Sequence, residues 1–145
     1  MPDASRKQID CPSAQVTDDG ARIFGVMTGA TEALRVGYLT ETLPVSDKLL
    51  ALAGSAKPTQ LFRIAAPCAE GDCRHFQSNA CALAKRIVEG VPAIVSSLPA
   101  CQIRSTCRWF RQEGKVACFR CPQVMTDKPN ASDLEKQIAG TDFDP

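Results

Sequence analysis

Eight cysteines in a chain of 145 residues, six of them in a frame written twice, constrain this protein more than any other feature of its sequence. Pro67 to Cys81 reads PCAEGDCRHFQSNAC, and Ala100 to Cys118 reads ACQIRSTCRWFRQEGKVAC. Both run Cys, four or five residues, Cys-Arg-aromatic-Phe, a polar spacer and Ala-Cys; Cys121 then completes a set of four in the second copy. Thiols in such density either pair as disulfides or gather round a metal, and the compartment decides between the two. The first twenty residues hold no apolar core of a signal peptide. No run of roughly 18 apolar residues is available to span a bilayer. A cytoplasmic location follows as the expectation, and with it reduced thiols that serve a metal rather than four disulfides.

The ligand sets expected on this spacing are Cys68, Cys73 and Cys81 in the first copy, and Cys101, Cys107, Cys118 and Cys121 in the second. Zinc sites usually pair two short Cys-x2-4-Cys knuckles. Here only Cys118 to Cys121 is one, and Pro122 follows it, as a proline follows a ligand cysteine in bacterial ferredoxins. The wide, uneven gaps therefore point to one or two iron–sulfur clusters of the [4Fe–4S] kind, with zinc as the alternative. A fourth ligand for the first set is left open between Cys11, His75 and none; with none, an iron stands open to substrate. A four-thiolate cluster carries negative charge and favours cations and helix N-termini around it. Arg74 and Arg108 directly follow the central cysteines, and Arg104, Arg111, Lys115 and Arg120 crowd the second copy, where Glu113 is the sole acid between Cys101 and Cys121. Arg74, Arg108 and Arg120 are the cations expected to contact a cluster, with Cys73 and Cys107 at or near helix starts. Phe76, Trp109, Phe110 and Phe119 are available to shield it from water.

The remaining sequence supplies a scaffold. Residues 1–20 are polar and predict a mobile arm. ARIFGVMTG and ALRVGYLTETLPV predict an antiparallel hairpin turning through TGATE. SDKLLALAG predicts a helix with Ser46 as N-cap and Gly54 as stop, and TQLFRIAAP a third strand. Further helices are expected over ACALAKRIVEGV and STCRWFRQEG, the second capped by Ser105 or Thr106 and ended by Gly114. The fold class is thus α+β: a ββαβ unit over residues 21–67, then a helix- and loop-rich, duplicated cysteine region over 68–126, together one domain. The tail 127–145, with five acids against two lysines, is loose apart from a short helix near SDLEKQIAG.

Other functions find less support. RSTCRWFRQEGKVACFRC interleaves cations with aromatic rings as single-strand nucleic-acid binders do, but a formal net charge of +1 gives no pull toward phosphate. No phosphate-cradling loop, dinucleotide fingerprint or nucleophile elbow is present, so independent catalysis is expected only where an iron stands open. The run LPACQIRSTCRWFRQEGKVACFRCPQVMT (98–126) resembles the C-terminal part of small cysteine-rich bacterial proteins, some labelled nitrogen-fixation-associated, and CRHF to Cys81 shares a looser likeness. That resemblance implies a bacterial, cytosolic, metal-bearing protein. The combined expectation is a small electron carrier serving a redox enzyme or reductase; the alternative is a zinc module for protein or nucleic-acid contacts. No membrane role is expected.

Overall fold

A computed structural model describes residues 9–29, 34–126, 128 and 131–139. It is an α+β fold whose main sheet has four antiparallel strands in the order β1-β4-β2-β3. These are β1 (Asp10–Cys11), β2 (Arg22–Thr28), β3 (Arg35–Pro44) and β4 (Phe62–Pro67). β2 and β3 form the expected hairpin, with Thr28 opposite Arg35; residues 30–32 of its TGATE turn lie outside the described residues. Both ladders of β2 slip between Ile23 and Gly25. A Cβ on Gly25 stands 2.5 Å from Val36 Cγ1, so only glycine lets β3 approach the bulge this closely.

Between β3 and β4 the chain makes α1 (Asp47–Leu50), a 3-10 turn at Ala51–Ala53 and α2 (Pro58–Leu61). Ser46 caps α1 by accepting the Leu49 amide at 3.2 Å, and Gly54 stops the turn with φ of 62°. The third strand starts later than the apolar run suggests, because Pro58 at a first helical turn starts a helix instead.

β4 is buried on both faces and divides the core. Phe62, Ile64 and Ala66 pack with Ile23 and Ala14 on one side. Ala65 and Phe24 pack on the other against α3 (Ala82–Gly90), α4 (Arg108–Glu113) and α5 (Lys115–Cys118), through Ala84, Ile87, Trp109 and Ala117. A two-stranded ribbon, β5 (Phe76–Gln77) and β6 (Ala80–Cys81), precedes α3.

Two expectations are corrected. The arm over 1–20 is anchored from residue 9: Cys11 pairs with Ala66 in the sheet and Ala14 is buried, because this stretch supplies the apolar cover that β4 needs; residues 1–8 lie outside the described residues. The short helix expected near SDLEKQIAG is present: α6 (Asp133–Ala139) forms with a reciprocal Ser132–Glu135 capping box, and Arg86 Nε ties it to α3 through the Ile138 carbonyl at 2.6 Å. The rest of the stretch 127–145, apart from residues 128 and 131–132, is outside the described residues.

The second correction is that the repeated sequence does not fold as a repeated structure. In the first copy Ser78 and Asn79 take φ of 53° and 61° and join β5 to β6 as a tight hairpin. The helix formers of RWFRQE build α4 at the same place in the second copy. Among the described residues no helix is long and apolar enough to cross a membrane.

Candidate functional site

All eight cysteines are free thiols, and the fold sorts them into two sets of four. The second set comes from four places. Cys101 leaves the 91–100 loop, Cys107 caps α4, Cys118 closes α5, and Cys121 opens the 3-10 turn Cys121–Gln123. All four line one cavity of about 20 Å³ that is partly open to solvent. Its other walls are mostly apolar: Pro12, Phe24, Tyr38, Ile103, Trp109 and Phe110, with Arg104 at the side.

The thiols of this set feel one another. Burial pushes the Cys107 thiol up to about 12; the Phe110 and Trp109 amides pull it down, and Cys121 and Cys101 push it up again. Cys101 is likewise raised, by burial and then by Cys121 and Cys118, against the Ile103 amide and Arg104. Cys118 is raised by burial although Arg104 hydrogen-bonds to it. Tyr38 is raised too, by burial first and by the neighbouring Cys121 next.

The first set takes in Cys11. Burial pushes its thiol up to about 12, the Ser13 amide opposes this, and Cys68, Cys81 and Cys73 each add to the rise. The sheet explains the encounter: Cys11 lies on β1 beside β4, and the Cys68 amide donates to the Ile9 carbonyl at 2.8 Å just beyond the strand end. Cys81 pairs with Phe76 across the ribbon and N-caps α3, where the Ala84 and Leu83 amides face its thiol. His75 is turned to another task, its Nδ1 accepting from Arg86 Nη2 at 2.9 Å.

The helix start expected at Cys73 is corrected. Cys73 ends the 3-10 turn Glu70–Asp72 in extended geometry, and Cys81 holds the cap that Cys107 holds in the second copy.

The expected cations are placed differently from one another. Arg74 is exposed. Arg108 follows Cys107 but reaches toward the first set, lying 5.3 Å over the Phe76 ring and 3.3 Å from Glu70. Arg120 ties down the loop over the second set, donating to the carbonyls of Val91 at 2.6 Å and Val116 at 2.8 Å. Arg104, which stacks near Phe110 and donates to the Pro99 carbonyl, is the crowding cation that reaches Cys101 and Cys118.

Two residues central to the arrangement escaped the sequence reading. Arg63 is fully buried and donates from Nη1 to Cys121 Sγ at 3.4 Å. Asp10 is buried, accepts from Arg22 at 2.6 Å and from Thr106 Oγ1 at 2.6 Å, and forms a parallel bridge with Cys107. An arginine inside the apolar strand FRIAAP was the available signal for the first. The second carried none, since Asp10 precedes Cys11 in a segment without periodicity.

Among the described residues, no group of three or more His, Cys, Asp or Glu is placed to hold a metal ion. Two buried donors near the second set lack partners, Arg104 Nε and Trp109 Nε1, and both residues line the cavity. Comparison with protein-family models, with curated proteins and with solved structures finds no match to this chain.

Proposed function

We propose that the chain is an iron–sulfur protein with two sites, each suited to a [4Fe–4S] cluster, and that it passes single electrons to a redox enzyme partner. The observation that carries the reading is the cavity walled by Cys101, Cys107, Cys118 and Cys121, with two unpartnered N–H donors among its lining residues. A buried donor left without an acceptor is costly, and sulfide or thiolate sulfur is an acceptor that such a cavity can take up.

Bound there, a cluster supplies one-electron exchange. The chain supplies the rest. Backbone amides of Ile103, Trp109 and Phe110 face the Cys101 and Cys107 sulfurs. The rings of Phe24, Trp109 and Phe110 give the cavity an apolar wall. The Asp10–Pro12 segment touches both sets, with Cys11 in the first and Pro12 on the wall of the second. Two sites that share a wall suit an electron carrier.

The test is protein purified without oxygen, assayed for absorbance, iron, acid-labile sulfide and zinc. The expected result is a brown protein absorbing broadly near roughly 400 nm with about eight irons and eight sulfides per chain. A colourless protein with zinc and no sulfide defeats the proposal and leaves a structural zinc module in its place.

A further inference from the structure

We infer that Arg63 is the resident counter-cation of the second cysteine set, and that it fixes the negative charge this set must carry and raises the reduction potential of the group held there. The inference rests on the cluster reading above. It begins with strand alternation. Phe62, Ile64 and Ala66 turn to one core, so Arg63 and Ala65 turn to the face that carries the cysteines. There the Arg63 guanidinium is 0% exposed, 5.2 Å over Phe24 and 5.6 Å over Trp109.

A guanidinium stays protonated in proteins, so this is a permanent buried charge. Its hydrogen bonds are met. Nε and Nη2 donate to the Pro12 carbonyl at 3.2 and 2.8 Å, and Nη1 donates to the carbonyls of Cys121 at 3.1 Å and Val124 at 2.9 Å. Its charge is not met by these. Carbonyls and ring faces are dipoles and quadrupoles; they solvate a cation without neutralising it. Among the described residues the carboxylates in ion pairs are spoken for elsewhere: Asp10 by Arg22, Glu70 by Arg108 and Glu135 by Lys128.

Among the described residues, the ionisable group that Arg63 hydrogen-bonds is Cys121 Sγ, at 3.4 Å. Buried charges persist when paired, so the fold itself calls for negative charge on this set. Reduction makes a bound cluster more negative. A fixed cation 3.4 Å from one ligand sulfur favours that change, and removing the cation lowers the potential.

The alternative role is a clamp, holding Pro12, Cys121 and Val124 together by hydrogen bonds alone. Redox titration of the full chain, purified without oxygen, separates the two through Arg63→Met and Arg63→Lys. With two clusters retained in Arg63→Met, one of the two potentials is expected to fall at least tenfold in reduction equilibrium, about 59 mV for one electron, while the other holds. Two unmoved potentials overturn the inference. Where Arg63→Met fails to fold or does not retain both clusters, Arg63→Lys decides. Both clusters present with potentials within tenfold of the parent support a charge role; a lost cluster, or a drop beyond tenfold, overturns it. Failure of the underlying reading shows separately, as absence of sulfide from the parent chain.

Discussion

Asp10 and Cys107 lie side by side in a parallel bridge, although 96 positions separate Asp10 from Thr106, the neighbour of Cys107 that donates to its carboxylate. The bridge brings the N-terminal segment against the cap of α4. Cys11, the next residue, joins Cys68, Cys73 and Cys81, and Pro12 beyond it walls the second cavity. One short strand is thus common to both cysteine sets.

Asp10→Asn tests that shared wall. The carboxylate is almost fully buried and holds Arg22 and Thr106, while Arg22 remains 30% exposed and can recover hydration. We expect a loss of about 2 kcal/mol, less than for a fully enclosed pair. Thermal unfolding reports it as a fall of roughly 4–8 °C. Iron bound at both sets is expected to fall together; a loss confined to one set shows that the wall is not shared.

Cys11→Ser and His75→Ala decide the fourth ligand of the first set. Cys11 faces the three other thiols, whereas His75 is held by Arg86. Cys11→Ser is expected to halve iron and sulfide, with the second set's signal intact, and His75→Ala to keep the full load. The reverse pattern, read by metal analysis on the two proteins, gives the place to His75.

Much of the scaffold was legible because local chemistry and tertiary need agree there. Ser46, Gly54 and Gly114 punctuate the chain where capping rules put them, and the alternation of Val36 and Tyr38 marks a strand. The second cysteine set was legible as a set because its four members fall within 21 residues. The first needed Cys11, brought in by a two-residue strand whose pairing with Ala66 leaves no periodic trace. The two copies read alike because the cysteines are spaced alike, yet Ser78-Asn79 favours a tight turn where Arg108 to Glu113 favours a helix. Charge was the least legible property. Arginines next to cysteines in sequence drew the eye, while the one against Cys121 sits 58 residues upstream on a buried strand.

Trp109→Phe asks whether the indole N–H has a partner in the loaded protein. Trp109 is 2% exposed and its Nε1 has no partner among the described residues. An unmet buried donor costs about 1–3 kcal/mol, so in metal-free protein phenylalanine offsets its lost volume by removing that burden. On the proposed reading the donor meets sulfur in loaded protein, and its removal is then expected to cost about 1 kcal/mol. The stabilisation conferred by the metal, taken as the difference in Tm between loaded and stripped protein, is expected to shrink in the variant. An unchanged difference means that Nε1 donates to nothing at the site.

Gly114→Ala tests how the second set is aligned. Gly114 has φ of 76° and ψ of −155°, a region that residues with a Cβ avoid, and it joins α4, which Cys107 caps, to α5, which Cys118 closes. A Cβ there meets no atom within 4 Å, so the effect comes from backbone strain and not from a clash. The expected cost is about 1–3 kcal/mol. Because relief of strain rotates α5 relative to α4, Cys118 shifts against Cys107, and the second site is expected to lose metal faster to a chelator while the first keeps its rate. Gly54→Ala is the control: Gly54 has φ of 62° and equally open space, far from either set in the sheet's connection. It is expected to lower Tm by a similar amount with both release rates unchanged. Equal acceleration in both variants assigns the effect to global stability and removes the alignment role of Gly114.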